Sequence, residues 1–340
     1  MSLETTPFSG SIPSLRQRYR GCFDIGAAVN LTTIESSREL LAAQFNSITA
    51  ENDMKFERVH PEEGVYTFEA ADRLVRFAGE HGMKVRGHTL VWHNQTPDWV
   101  FRAPGGGPAG RELLLERMKE HIDSVAGRYK GRVYAWDVVN EAIEDKSGVW
   151  LRSSPWLEQI GEDFIAKAFE FAHAADPSAV LFYNDYNECD PAKRDKIIRL
   201  LSRLKEQGVP VHGMGMQGHW NLNGPSLDEI RAAIEGYAAL GHQLQITELD
   251  ISVFDFDDRR TDLRQPTEEM LVRQAERYQR VFALLREYRD AVTAVTFWGA
   301  ADDYTWLDDF PVKGRKNWPF VFDEGHQPKP SFWKIAEWSD

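Results

Sequence analysis

Trp136-Asp137-Val138-Val139-Asn140-Glu141 is a short apolar and β-branched run that ends in an amide and a carboxylate. Such a run reads as a buried strand that delivers polar side chains at its carboxyl end. Ile246-Thr247-Glu248-Leu249-Asp250 repeats the arrangement further along. Working outward from these two, runs of the same kind, bounded by turn formers, lie near residues 23–29, 46–51, 85–92, 134–141, 181–187, 213–219, 243–250 and 294–299. Amphipathic helical patterns fill the gaps, among them Leu113 to Val125, Phe164 to Ala175, Ile197 to Leu204 and Glu268 to Tyr288. A helix near Ser226 carries the capping box Ser226-Leu227-Asp228-Glu229. Eight strands alternating with helices predict an α/β fold, the (β/α)8 TIM barrel, as a single domain over residues 1–340. The first ten residues are expected to be flexible or partly vector-derived.

The 340 residues are 42% hydrophobic and 27% charged, enough for one large core and longer than the roughly 250 typical of this barrel. A net charge of −13 opposes nucleic acid and anionic lipid and suits a neutral partner. No stretch approaches the ~20 apolar residues of a membrane span. Residues 1–10 lack the basic and apolar regions of a secretory signal, so a cytoplasmic location is expected. The layout puts Cys22 before one strand and Cys189 after another, at opposite ends of the sheet, which predicts two reduced thiols. Ala103-Pro104-Gly105-Gly106-Gly107-Pro108 reads as a mobile surface loop, and Lys313-Gly314-Arg315-Lys316 as a solvated basic one. The segment from Ala300 to Pro330 is long and dense in aromatics, as functional or self-packed loops are. No pattern in the sequence sets an oligomeric state.

Active sites of (β/α)8 barrels sit at the carboxyl ends of the strands. Glu51, His88, Asn140, Glu141, Asn187, Gln217, His219 and Glu248 fall at or just past predicted strand ends, on six strands scattered in sequence. Two of them, Glu141 and Glu248, suit a retaining glycosidase, which needs an acid and a nucleophilic carboxylate about 5–5.5 Å apart. Asn140 beside the acid can bond a sugar hydroxyl. His219, backed by Asp250, is expected to keep Glu248 ionised, while apolar surroundings and the charge of Glu248 are expected to keep Glu141 protonated. Trp92, Trp298 and Trp306, among eleven tryptophans, stand where indole faces can stack on pyranose rings. No convergent His, Cys and carboxylate set suggests a metal, and Asp302-Asp303 argues against a phosphate site in the last loop.

Taken together, Ile48-Thr49-Ala50-Glu51-Asn52-Asp53-Met54-Lys55, Gly87-His88-Thr89-Leu90-Val91-Trp92-His93, Trp136 to Ala142, Gly215-Met216-Gln217-Gly218-His219 and Ile246 to Asp250 make the chain resemble glycoside hydrolase family 10, the endo-β-1,4-xylanases, from about Leu15 to Trp338. The resemblance implies Glu141 as acid/base and Glu248 as nucleophile, in agreement with the reading of the residues themselves. It further implies that Lys55, His88, Trp92, Asn140, Gln217, His219 and Trp298 surround the sugar at the cleavage point. Glu51, Asn52, Lys55, Gln95 and Trp306 would hold the next xylose on the non-reducing side, and Tyr186 would approach the scissile region. The segments His93 to Trp99 and Gly314 to Pro319 are most similar to the signal-less intracellular members, which implies soluble xylan fragments and xylo-oligosaccharides as substrates, with no cofactor and no metal. Rival readings are the same machinery acting on other β-1,4-glycans or in exo fashion, a silent sugar-binding protein, and a metal-dependent barrel hydrolase.

Overall fold

Apolar runs too short for a helix and flanked by turn formers become strands wherever the sequence predicts one. In the computed structural model, which describes residues 12–338, they are β1 (Asp24–Val29), β2 (Ser47–Ala50), β3 (Lys84–Val91), β4 (Val133–Asn140), β5 (Val180–Asp185), β6 (Gly213–Met216), β8 (Gln243–Ser252) and β9 (Val292–Phe297), with a short β7 (His219–Asn221) between β6 and β8. The expectation for residues 1–10 lies outside the described residues. All pairings between these strands are parallel, in the order β6-β5-β4-β3-β2-β1-β9-β8, and a β6–β8 pairing closes the barrel. The predicted sixth strand is in fact two: Gly218, at φ +77°, turns the chain out of β6, and β7 then pairs with the far end of β8 through His219↔Asp250. A side chain at Gly218 would also meet Ile246, its Cβ only 2.8 Å from a methyl carbon.

The predicted helices form as Gly110–Arg128, Phe164–Ala175, Pro191–Glu206, Leu227–Ala238 and Glu268–Glu287. Both halves of the Ser226/Glu229 capping box are present. Pro191–Glu206 starts a turn and a half before its predicted apolar stretch, because Asp190 caps it and Pro191 occupies its first turn. Apolar faces of these helices and the outward faces of the strands form one continuous core.

Inside the barrel the packing is partly polar. Arg86 on β3 reaches across to Gln245 on β8 (Nε–Oε1, 2.8 Å) and forks onto Asp137 of β4, with Nη2–Oδ1 at 2.6 Å. All three are buried. Room for large neighbours comes from missing side chains: a Cβ at Gly87 would lie 2.1 Å from the Trp136 ring.

The 300–330 segment is packed on itself. Trp318, Phe320 and Phe322 are buried, Asp302 pairs with Lys329 at 2.7 Å and accepts from the Phe320 amide, while Tyr304 and Phe310 remain exposed. The basic run differs from its expectation. Arg315 is buried with its guanidinium 4.1 Å from the Phe254 ring centroid and donates to the Asp258 carbonyl, and Lys316 pairs with Asp308 at 2.7 Å. A planar cation that stacks on an aromatic face hides its apolar surface while its edge still donates. Residues 103–108 form an exposed loop closed on itself by Ala103 N–Gly107 O at 2.8 Å. Cys22 and Cys189 are unpaired. Among the described residues no helix is long and apolar enough to cross a membrane.

Candidate active site

Three irregularities in the strand ladders lie around the carboxylates. The register shifts between His88 and Val91 on β3, between Asp137 and Val139 on β4, and between Ile246 and Leu249 on β8. A bulge adds a residue on one strand and re-aims the side chains beside it. His88 and Glu248 therefore point into the mouth of the barrel although both strands continue past them. Glu141 solves the same problem differently: it sits just beyond β4 at φ 57°, a conformation uncommon for a side-chain-bearing residue. That backbone is held by Glu141 N–Asn184 O at 2.9 Å and by Arg152 Nε donating to Glu141 O at 3.0 Å. The turn lets Asn140 and Glu141, adjacent in sequence, border one pocket.

Glu248 is buried, bonded by one imidazole and one amide, with a second imidazole nearby. His219 Nε2 lies 3.1 Å from its Oε2, Asn184 Nδ2 donates to its Oε1 at 2.8 Å, and His88 Nδ1 stands 3.9 Å from Oε1. Asp250 Oδ2 accepts from His219 Nδ1 at 2.9 Å. An imidazole between two carboxylates must donate from both nitrogens, which is the imidazolium form. Burial would lower the His219 pKa, but the charge and hydrogen bond of Asp250, helped by Glu248, raise it to about 10. Burial would likewise raise Glu248; His88 and His219, with Asn184, outweigh it and hold the carboxyl at about 2.

Glu141 has only neutral donors. Trp92 Nε1 donates to its Oε2 at 2.9 Å and Gln217 Nε2 to its Oε1 at 3.0 Å. Burial raises its pKa above the ordinary glutamate value; Gln217 and Trp92 oppose this, while the negative charges of Asp185 and, behind it, Glu248 add to it. The sequence reading named burial and Glu248; Asp185, fully buried on β5, is the larger of the two charges.

A chain of amides joins the two carboxylates. Gln217 Nε2, bonded to Glu141, also lies 3.4 Å from Asn140 Oδ1, which accepts from Asn184 Nδ2 at 2.9 Å, the same group that donates to Glu248. Glu248 N donates to Gln217 O at 2.8 Å, so the backbones are locked as well. Asn184 is the central residue that the sequence did not reveal, although it stands two residues before Tyr186 and one before the end of β5.

The remaining predicted residues assemble around this pair. Lys55 Nζ donates to Asn52 Oδ1 and Gln95 Oε1, both at 2.9 Å, and lies 5.0 Å from the Trp92 ring centroid. Burial lowers the Lys55 pKa, opposed by the charges of Glu248, Glu51 and Glu141. Glu51 Oε2 accepts from Asn30 Nδ2 at 3.0 Å. Trp298 stands edge-on to His88, with centroids 5.3 Å apart, and Trp306 Nε1 donates to Asp250 Oδ2 at 2.9 Å. Tyr186 reaches the pair at one remove: its hydroxyl bonds Arg152 and Asp145, both at 2.6 Å, and Arg152 grips the Glu141 carbonyl. His88 Nδ1 is anchored by Asp137 Oδ2 at 2.9 Å. Among the described residues no group of three or more His, Cys, Asp or Glu stands where it could hold a metal ion.

Known proteins share this architecture. Residues 14–338 match the family described as Glycosyl hydrolase family 10. The chain is 61% identical over 327 residues to endo-1,4-beta-xylanase B of Paenibacillus barcinonensis and to an endo-1,4-beta-xylanase of Geobacillus stearothermophilus, covering 96% of this chain and 98% of each relative. It superposes on the crystal structure of xylanase XynB from Paenibacillus barcinonensis in complex with a conduramine derivative with a TM-score of 0.95 at 61% identity, over 96% of this chain and 99% of that one. A Thermobacillus composti GH10 xylanase gives a TM-score of 0.88 at 59% identity, over 95% and 99%. With a closed barrel, paired glutamates on two of its strands and a match over nearly its whole length, the chain belongs to glycosyl hydrolase family 10.

Proposed function

We propose that the chain is a retaining endo-β-1,4-xylanase that cleaves xylo-oligosaccharides and soluble xylan through a covalent glycosyl-enzyme. The observation that carries this reading is the contrast in donors around two glutamates at one site: Glu248 is bonded by His219, itself bonded to Asp250, and by Asn184, whereas Glu141 is bonded only by the neutral Trp92 and Gln217, which favours the charged form of the first and, with burial, the neutral form of the second. Groups pushed apart in this way divide into a nucleophile and a proton donor. In the first step Glu248 Oε attacks the anomeric carbon as the glycosidic bond breaks, and the Glu141 proton goes to the leaving oxygen. Esterification removes the charge of Glu248, one of the causes that raise Glu141. Glu141, now ionised and supported by Gln217 and Trp92, then takes a proton from the water that attacks the ester, and Glu248 leaves as a carboxylate.

Lys55, Asn52, Gln95 and Glu51 form the polar cluster that would hold the donor sugars, with Trp306 and Trp298 as the aromatic wall and Asn140, His88 and His219 at the cleavage point. The fully bonded state of this cluster fits preorganised contacts to hydroxyls. We place the enzyme in the cytoplasm, a reading supported by two unpaired cysteines and tested by comparing activity in cell lysate and culture medium.

Proton NMR of xylohexaose cleavage, read before mutarotation, tests the mechanism. Early β-anomer of shorter oligosaccharides is the expected result. Early α-anomer would mean inversion and remove Glu248 from the nucleophile role.

A further inference from the structure

β5 serves the site from both of its faces, because successive strand residues point to opposite sides. Asn184 bonds Asn140 and Glu248 inside the barrel. Tyr183 and Asp185 stand on the other face, fully buried, with the Tyr183 hydroxyl donating to Asp185 Oδ2. The same hydroxyl accepts from the backbone N–H of Ala142 at 3.0 Å and of Ile143 at 3.1 Å. A phenol has one proton to donate and two lone pairs. The polar end of Tyr183 is therefore fully engaged, and its two donors are the residues that follow Glu141.

Their position matters because of the backbone at Glu141. A side-chain-bearing residue at φ 57° is held there by its surroundings, against its own preference. Arg152 grips the carbonyls of the same turn: its Nε donates to Glu141 O at 3.0 Å, its Nη2 lies 3.4 Å from Ile143 O, and its own N–H donates to Ala142 O at 2.8 Å. The phenol thus holds the N–H groups after Glu141 and the arginine holds the C=O groups. The two grips also meet behind the turn. Asp185 pairs with Lys193 at 2.9 Å, Lys193 with Asp145 at 2.9 Å, and Asp145 with Arg152 at 3.3 Å. A ring of bonded side chains, Tyr183, Asp185, Lys193, Asp145 and Arg152, closes around the backbone that carries Glu141.

We propose that Tyr183, together with Arg152, is a positioning residue for the acid/base, fixing the left-handed turn that aims the Glu141 carboxyl at the glycosidic oxygen. This rests on the retaining-xylanase reading above. A misplaced Glu141 fails in both of its tasks, protonating the leaving oxygen and then taking a proton from water, but not in the attack by Glu248. Tyr183→Phe keeps the ring and removes only the oxygen, which leaves the Ala142 and Ile143 N–H groups without their acceptor.

The test measures kcat and KM of wild type, Tyr183→Phe and Arg152→Lys on xylohexaose and on dinitrophenyl β-xylobioside. Tyr19→Phe is the control: Tyr19 is equally buried, and its hydroxyl donates to Ile335 O at 2.7 Å in the helix Pro330–Ala336. On xylohexaose, whose leaving sugar needs a proton, Tyr183→Phe should lose roughly ten- to a hundredfold in kcat/KM. On the dinitrophenyl glycoside the leaving group departs unprotonated, so kcat/KM should stay within about twofold of wild type. There kcat, set by attack of water on the ester, should fall by roughly ten- to a hundredfold, and KM should fall with it. Arg152→Lys should show the same split and Tyr19→Phe none. A loss of folded protein alone cannot lower KM. Equal losses in kcat/KM on both substrates, unaltered kinetics on both, or the same split in Tyr19→Phe would overturn the assignment. If Tyr183→Phe does not fold, Arg152→Lys decides by showing the split or lacking it. Wild type that cut neither substrate would overturn the xylanase reading itself, a result distinct from these.

Discussion

Glu141 and Glu248 are the same residue type, set in the same pocket and joined by one chain of amides, yet their surroundings drive them to opposite protonation states. The donors to Glu248 are an imidazolium fixed by Asp250 and the Asn184 amide, with His88 a further 3.9 Å neighbour; those to Glu141 are an indole and an amide. Charged donors stabilise a carboxylate against desolvation, and neutral donors at similar distances only soften it. Beside Glu141 the fully buried charge is Asp185, of the wrong sign to ionise it. What divides the labour is therefore the charge of the neighbouring groups, since burial pushes both carboxyls up, and at Glu248, the more buried of the two, the net shift is nevertheless downward.

The largest effect should come from abolishing the contrast outright. Glu248→Ala should lower turnover of xylohexaose by at least about a thousandfold, since no other carboxylate is placed to attack. Glu141→Ala should lose roughly a hundred- to ten-thousandfold on the same substrate, but far less on an aryl xylobioside with a good leaving group, which needs little protonation. Equal losses of the Glu141 variant on both substrates would remove its acid role.

Next, the contrast can be weakened from the Glu248 side. In wild type the nucleophile stays ionised down to about pH 2, so it sets no acid limb in the range above that. His219→Asn removes the main hydrogen-bonded cation. Glu248 should then titrate closer to the ordinary glutamate value, and the acid limb of kcat/KM should move to higher pH, together with a fall of roughly ten- to a hundredfold at neutral pH. An unmoved acid limb would mean that His88 and Asn184 suffice.

From the Glu141 side a smaller shift is expected. Gln217 donates to Glu141 and lowers its pKa against burial. In Gln217→Leu that support is gone, so Glu141 should hold its proton to higher pH and the basic limb of kcat/KM should move up. A basic limb that moves down, or stays in place, would show that Gln217 acts only through Asn140 and the backbone of Glu248.

This division of labour was partly legible in the chain itself. Eight apolar runs with polar ends announced the barrel, and the two-residue spacing of Glu248 and Asp250, with His219 on the neighbouring strand, announced the ionised nucleophile. What alternation could not supply was the set of bulges at 88–91, 137–139 and 246–249, because an inserted residue has no signature in a run of apolar side chains. Nor could it supply Asn184, whose value lies in simultaneous contact with Asn140 and Glu248 from two other strands. Arg315 was misjudged for a related reason: in sequence it belongs to a basic run, and only the fold lays it on Phe254. Local pattern reported which residues reach the carboxyl ends, and long-range packing decided which of them touch.

The smallest expected effect separates the two glutamates by stability. Folding depresses the Glu248 pKa from 4.5 to about 2. Its charge therefore contributes stability that is present above pH 4.5 and is lost as pH falls towards 2. Folding raises the Glu141 pKa, so near neutral pH any ionised fraction works against the folded state. Replacing each with its neutral isostere should thus have opposite signs. Glu248→Gln leaves the His219 imidazolium with Asp250 alone and breaks a buried ion pair, so the melting temperature should drop by several degrees. Glu141→Gln keeps an oxygen for Trp92, lets Gln217 turn its own oxygen towards the new NH2, and removes the cost of ionisation near Asp185, so it should raise the melting temperature by about 1–3 °C at pH 7. At pH 4, where Glu141 is already protonated in the wild type, that gain should disappear. Melting curves of the two variants at both pH values read this directly, and a gain for Glu141→Gln that persisted at pH 4 would mean that packing, not charge, set it.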